Sequence, residues 1–167
     1  GAEGDHQSID LATVVERELA ALGQTYPGVQ VAIEMPEQVP VEAAPSLDTA
    51  VANLLENAAK HNDADEPRVR VTVDWNPIET ELVIADNGPG VPEHELDILD
   101  EGSETKLRHT SGLGLWTTVW VVEHSDGELE FEDNDPRGTV VRMRLPSADA
   151  AEVDGFDRVG LTTTMPA

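Results

Sequence analysis

Residues Asn53 to Asn62 read NLLENAAKHN, and the period this stretch obeys decides how the surrounding chain is folded. Leu47, Val51, Leu54, Leu55 and Ala58 recur at the helical spacing of about 100° per residue, so the stretch is expected to be a helix with one buried side. Asn53, Asn57 and Lys60 then fall together on another side, three and four residues apart, where their side chains meet. Two carboxamides and an ammonium on one stripe offer oxygen ligands to a hard cation and positive charge to a phosphate. A plain solvated helix face accounts for the same pattern, so the stripe has to be weighed with the rest of the chain.

Downstream, strands are expected at Arg68 to Trp75 and Glu81 to Ala85, and the second runs directly into Asp86-Asn87-Gly88-Pro89-Gly90. An acid at a strand end followed by glycines lets a flat ligand approach the backbone, with the carboxylate accepting a hydrogen bond from an amine. An ordinary Asn-Gly turn is the competing reading. Ser111-Gly112-Leu113-Gly114-Leu115-Trp116 places glycines where a loop enters an apolar helix that runs to about His124. The free N–H groups and dipole of a helix start favour phosphate, and close packing is the alternative. Between the glycine sites, Gly102 to Ser111 is polar and without period, as expected of a mobile lid from which Lys106 or Arg108 reaches a phosphate.

Before the central stretch, Ser8 to Leu22 has the pattern of an amphipathic helix, and Val29, Val31 and Ile33 alternate as a strand. PEQVPVEAAP, residues 36–45, is expected to be a connector because of its prolines, with Ser46 as a helix cap. The chain closes with a hairpin, Glu128 to Glu132 and Thr139 to Leu145, and an aperiodic tail from about Ser147. Trp75, Trp116 and Trp120 fall at core spacing, and His6 falls in a frayed start. Three helices against one mixed, mostly antiparallel sheet make a two-layer α/β sandwich.

Composition narrows the function. Ten Lys+Arg against 34 Asp+Glu give the 167-residue chain a net charge of −24, which repels nucleic acid and anionic membranes. The acids are interspersed among patterned apolar segments, as in a protein kept soluble in high salt, so a halophilic source is expected. The absence of cysteine excludes disulfides and thiolate chemistry. No apolar run is long enough to span a membrane, and the expected location is cytoplasmic.

Taken together, NLLENAAKHN, DNGPG and SGLGLW resemble, in order and separation, the three nucleotide-binding boxes of the GHKL ATP-binding superfamily, which includes gyrase B, the large heat-shock chaperone, mismatch-repair ATPases and sensor histidine kinases. The chain is most similar to the kinase branch: Asn53 opens its first box, where hydrolysing members carry a glutamate base. The closing G-T-x-x-x-x-x-L-P, Gly138 to Pro146, is similar as well.

That resemblance implies a Bergerat-type fold over residues 10–146, with 1–9 a linker from an upstream domain and 147–167 a tail. It implies ATP and Mg²⁺ as cofactors. Asn57, supported by Asn53, would ligate the metal, while Lys60 and His61 would face the phosphates. Asp86, with Gly88, Gly90 and Thr139, would hold the adenine, and Ser111, Gly112, Leu113, Gly114 and Leu115 would cradle the phosphates, with Lys106 from the lid. The implied activity is γ-phosphoryl transfer to a histidine on a separate phosphoacceptor and dimerisation domain, with a response regulator downstream. Nucleotide binding without self-phosphorylation is expected of this chain alone. An anti-sigma-type serine kinase, or a non-catalytic ATP-binding module, is the alternative on the same fold. The phenylalanine-bearing box of many relatives is absent, and the lid GSETKLRHTSGLGLW resembles those of haloarchaeal sensor kinases.

Overall fold

The computed structural model describes residues 6–60, 62–89 and 113–149. Its elements are strand β1 (Gln7–Asp10), helix α1 (Leu11–Thr25), strands β2 (Gln30–Glu34) and β3 (Pro40–Ala43), and helix α2 (Leu47–Lys60). Strands β4 (Arg68–Trp75) and β5 (Glu79–Asp86) follow, then helix α3 (Leu113–His124) and strands β6 (Glu128–Asp133) and β7 (Thr139–Pro146).

Five strands form one sheet in the order β2-β4-β5-β7-β6, with β2 parallel to β4 and every other pair antiparallel. Alternation sorts its faces. Val69, Val71, Val73, Leu82, Ile84, Val141, Met143 and Leu145 are buried together with Leu11 and Val15 of α1, Leu47, Val51, Leu54 and Leu55 of α2, and Val121 and Val122 of α3. The opposite face is ionic: Arg144 reaches Glu130 at 2.9 Å and Glu81 at 3.2 Å, and Arg142 reaches Glu132 at 3.2 Å. These carboxylates raise the pKa of both guanidinium groups, Glu132 most for Arg142 and Glu130 most for Arg144. A charged face takes no third layer, so the α/β two-layer sandwich expected from the pattern is what forms, with a mixed, mostly antiparallel sheet.

Several local expectations need correction. Residues 7–10 are not helical; they pair with β3 in a second, two-stranded antiparallel sheet. Asp10 starts the helix instead, because its Oδ1 accepts from the amides of Ala12 at 3.0 Å and Val39 at 2.9 Å. The proline-rich connector contains β3, since Pro40 stands at the first strand position, where a missing N–H costs little. Its carbonyl is well used, accepting from Ala148 N and Trp75 Nε1, both at 2.9 Å.

His6 is not frayed: its Nε2 lies 2.6 Å from the carbonyl oxygen of His124. Trp120 and Trp75 are not core: Trp120 is 40% exposed and stacks on His124, with ring centroids 4.0 Å apart, and Trp75 is exposed as well. At the other end, Ser147 N donates to Ile78 O at 3.1 Å and Ala148 is buried, so both residues belong to the packed domain rather than to a tail. Among the described residues, no helix is long and apolar enough to cross a membrane. The expected short helix near 93–100 and the lid at 102–111 lie outside the described residues.

Candidate functional site

Helix α2 buries Leu47, Val51, Leu54, Leu55 and Ala58, which turns its remaining faces outward. Asn57 and Lys60 are exposed and Asn53 is half-buried, so the three residues read as one stripe do share a side of the helix. Lys60 lies in the last turn, where its ammonium also complements the helix dipole.

The loop after α2 meets the end of β5. Asn62 Nδ2 donates to Asn87 Oδ1 at 2.9 Å, and that oxygen also accepts from Arg68 N at 2.8 Å. Asn87 Nδ2 in turn donates to Glu66 O at 2.9 Å. Asn87 is therefore a brace, tying the DNG turn to the helix end and to β4. Gly88 is buried in this corner, and a β-carbon there would meet Asp86 Oδ1 at 3.2 Å and Asn62 Cα at 3.4 Å.

Asp86 is fixed from two directions. Its Oδ1 accepts from Gly88 N at 2.8 Å and Thr139 N at 3.3 Å. Its main-chain carbonyl accepts from Asn134 Nδ2 at 2.8 Å. Oδ2 has no protein partner among the described residues. Burial pushes the carboxyl above its ordinary range, against the opposing pull of the Gly88 and Thr139 amides and of the Arg137 charge. The result is a half-buried, oriented acceptor with one oxygen left for a donor. Such a group accepts from an N–H donor, and a neutral donor meets it without placing a second negative charge beside it.

The β6–β7 turn completes this corner. Asn134 N donates to Gly138 O at 2.9 Å, and Gly138 has φ +115°, with its α-carbon packed against the Asp86 peptide. At the rim, Arg137 Nη2 lies 2.6 Å from Asp63 Oδ1.

Of the residues expected from sequence, Asn53, Asn57 and Lys60 lie on α2, Asp86 and Gly88 at the end of β5, and Thr139 at the start of β7, while Leu113, Gly114 and Leu115 open α3. His61, Gly90, Lys106, Ser111 and Gly112 lie outside the described residues. Sequence reasoning missed Asn62, Asn87, Asn134, Arg137 and Gly138. The Asn-Asp-Pro-Arg-Gly turn between two strands was the available signal for the last three.

Comparison with known proteins agrees with this geometry. Residues 42–149 match the family described as histidine kinase-, DNA gyrase B-, and HSP90-like ATPase. The signal transduction histidine-protein kinase/phosphatase MprB of Mycobacterium sp. (strain KMS) is 33% identical over 150 residues, covering 84% of this chain and 29% of that protein. The two-component sensor PhoQ of Pseudomonas aeruginosa is 34% identical over 141 residues, covering 81% of this chain and 31% of that protein. The chain thus spans about three-tenths of the length of these curated relatives.

Among solved structures, a mycobacterial sensor histidine kinase MprB superposes with a TM-score of 0.66 at 27% identity, covering 84% of this chain and 98% of that one. The ATP-binding domain of PrrB from Mycobacterium tuberculosis gives 0.68 at 25%, covering 87% and 99%. The three boxes, the two-layer fold and these matches lead to one assignment: the chain belongs to the histidine kinase-, DNA gyrase B- and HSP90-like ATPase family, as the ATP-binding domain of its sensor histidine kinase branch.

Proposed function

We propose that this chain holds Mg·ATP so that its γ-phosphoryl group passes to a histidine on a separate dimerisation and phosphoacceptor domain. The observation that carries the reading is Asp86: one carboxylate oxygen is fixed by two backbone amides and the other is left for a donor. The adenine 6-amino group is such a donor, and a carboxylate, which only accepts, suits it.

Asn57 and Asn53 offer neutral amide oxygens, and Lys60 adds a positive charge on the same stripe. Among the described residues no cluster of three acids or histidines could hold a metal unaided. This donor set fits a divalent cation that arrives already bound to a triphosphate, with Asn57 supplying an oxygen ligand and Lys60 facing the phosphate charge. When bound, the Mg²⁺ neutralises the charge that develops on the transferring group.

In the transfer, the bond from the γ-phosphorus to its bridging oxygen breaks and ADP leaves. The new bond forms to an imidazole nitrogen of the acceptor domain. Position 53 is Asn rather than a carboxylate, so no general base for water stands there, and slow hydrolysis follows. A response regulator is the downstream acceptor proposed for the whole protein, and the cytoplasm its compartment. Mixing the chain with a purified two-helix histidine domain and labelled ATP tests the reading. Acid-labile phosphate should appear on the histidine domain and not on this chain. Acid-stable phosphoserine on a partner, or phosphohistidine on this chain alone, would refute it.

A further inference from the structure

We propose that Arg137 and Asp63 are positioning residues for base recognition, their ion pair closing a ring of contacts around Asp86 that holds the pocket to its productive width. The proposal rests on the reading of Asp86 as the acceptor for the base.

Two arms reach the Asp86–Gly88 segment. One comes from the end of α2, where Asn62 donates to Asn87 and packs against Gly88. The other is the β6–β7 turn, where Asn134 holds the Asp86 carbonyl, Gly138 packs on its peptide and Thr139 donates to its Oδ1. Asp63 follows Asn62 directly, and Arg137 precedes Gly138. Their contact at 2.6 Å therefore joins the two arms at the rim, across 74 residues of sequence. Among the described residues, no other ion pair links the α2 end to this hairpin.

Without the bridge, each arm still touches the Asp86–Gly88 segment, but nothing at the rim sets the distance between them. The hairpin ends the chain's edge pair of strands, so the pull from Asp63 acts on its less supported end. Arg137 also sits near enough for its charge to draw on the Asp86 carboxylate. Side-chain exposures of 44% for Arg137 and 67% for Asp63 mean that the pair adds little to global stability, so its loss leaves the fold intact.

Adenosine and ATP separate positioning from direct phosphate contact, because adenosine has no phosphate. Titrations followed by NMR would compare wild type, Arg137→Gln, Asp63→Asn and the charge-swapped pair Arg137→Asp with Asp63→Arg. Each single variant should weaken both ligands by the same factor, about threefold, the scale of an exposed ion pair. The swapped pair should recover part of both affinities, the reversed charge at position 137 keeping it short of wild type. Unchanged adenosine affinity in the single variants, a loss confined to ATP, or no recovery in the swap would overturn the proposal. A wild type that binds neither ligand would refute the base-site reading itself, whereas binding that the variants match refutes only the bridge.

Discussion

The α-carbon of Gly138 lies so close to the peptide of Asp86 that a β-carbon at position 138 would overlap the Asp86 carbonyl oxygen. The same residue has φ +115°, a conformation that side-chain-bearing residues rarely adopt. Asp86 and the turn facing it are therefore set against each other by contact and not by loose proximity. Gly138→Ala should lose about 2 kcal/mol or more, from backbone strain plus displacement of the Asp86 peptide. For a chain of this size that is a fall in Tm of roughly 4–8 °C. Nucleotide affinity should fall with it, and calorimetric melting with and without ATP reads both.

Asp86 should make the unliganded protein less stable than its neutral isostere. Its folded pKa is raised by burial from the ordinary value of 3.8, so the stability linked to its proton is fully present below 3.8 and is lost as pH rises through the higher folded value. Asp86→Asn keeps an oxygen for the Gly88 and Thr139 amides and carries no charge to desolvate. Its Tm should therefore match wild type at acid pH and exceed it at neutral pH. A variant less stable than wild type at pH 7 would mean that the amide bonds outweigh burial. ATP affinity of the wild type should decline as pH falls toward the raised pKa, since the protonated acid no longer presents two acceptors.

Asn87 makes three hydrogen bonds, to Asn62 Nδ2, Arg68 N and Glu66 O, and no ligand role is needed to explain it. Asn87→Ala should cost about 2 kcal/mol, since each bond contributes about 1 kcal/mol and the partners are partly re-solvated. Asn87→Asp keeps both accepted bonds but sets a carboxylate oxygen against Glu66 O, acceptor against acceptor, so it too should be less stable than wild type. Urea denaturation of the three proteins orders them directly.

Much of this architecture was legible in the sequence because it is periodic. The α2 stripe, the bounds of β4 and the start of β7 follow from spacing alone, as apolar side chains have one place to go. Strand β3 was hidden because prolines mask a short strand whose first residue needs no donor, and β1 because its pairing partner lies more than thirty positions away. The braces at Asn62–Asn87 and Asn134–Asp86 span 25 and 48 residues, and a single polar contact leaves no period behind. Trp120 was misplaced because helix α3 is apolar on nearly every side, so spacing does not single out its exposed face.

Charge sets a further expectation. With 34 acids against 10 basic residues, self-repulsion acts on the whole chain, while the Arg–Glu contacts of the open sheet face are exposed pairs of small value. Between about 0.1 M and about 1 M salt the screening length falls from about 10 Å to about 3 Å. Relief of repulsion should outweigh the weakened pairs, so Tm should rise over that range, as a halophilic source would require. A flat or falling Tm would show that the ion pairs dominate.

If Asp86 recognises the base of ATP, calorimetric titration of ATP with Mg²⁺ into wild type and Asp86→Asn reads the loss of that contact. In the variant the side-chain oxygen stays with the Gly88 and Thr139 amides, so the new NH₂ faces the adenine amine, donor against donor. Losing a hydrogen bond to a charged group costs about 1.5–3 kcal/mol, which corresponds to a weakening of about 10- to 150-fold. That loss, in a variant at least as stable as wild type, is the predicted result. An Asp86→Asn protein that binds ATP within about twofold of wild type would contradict the account.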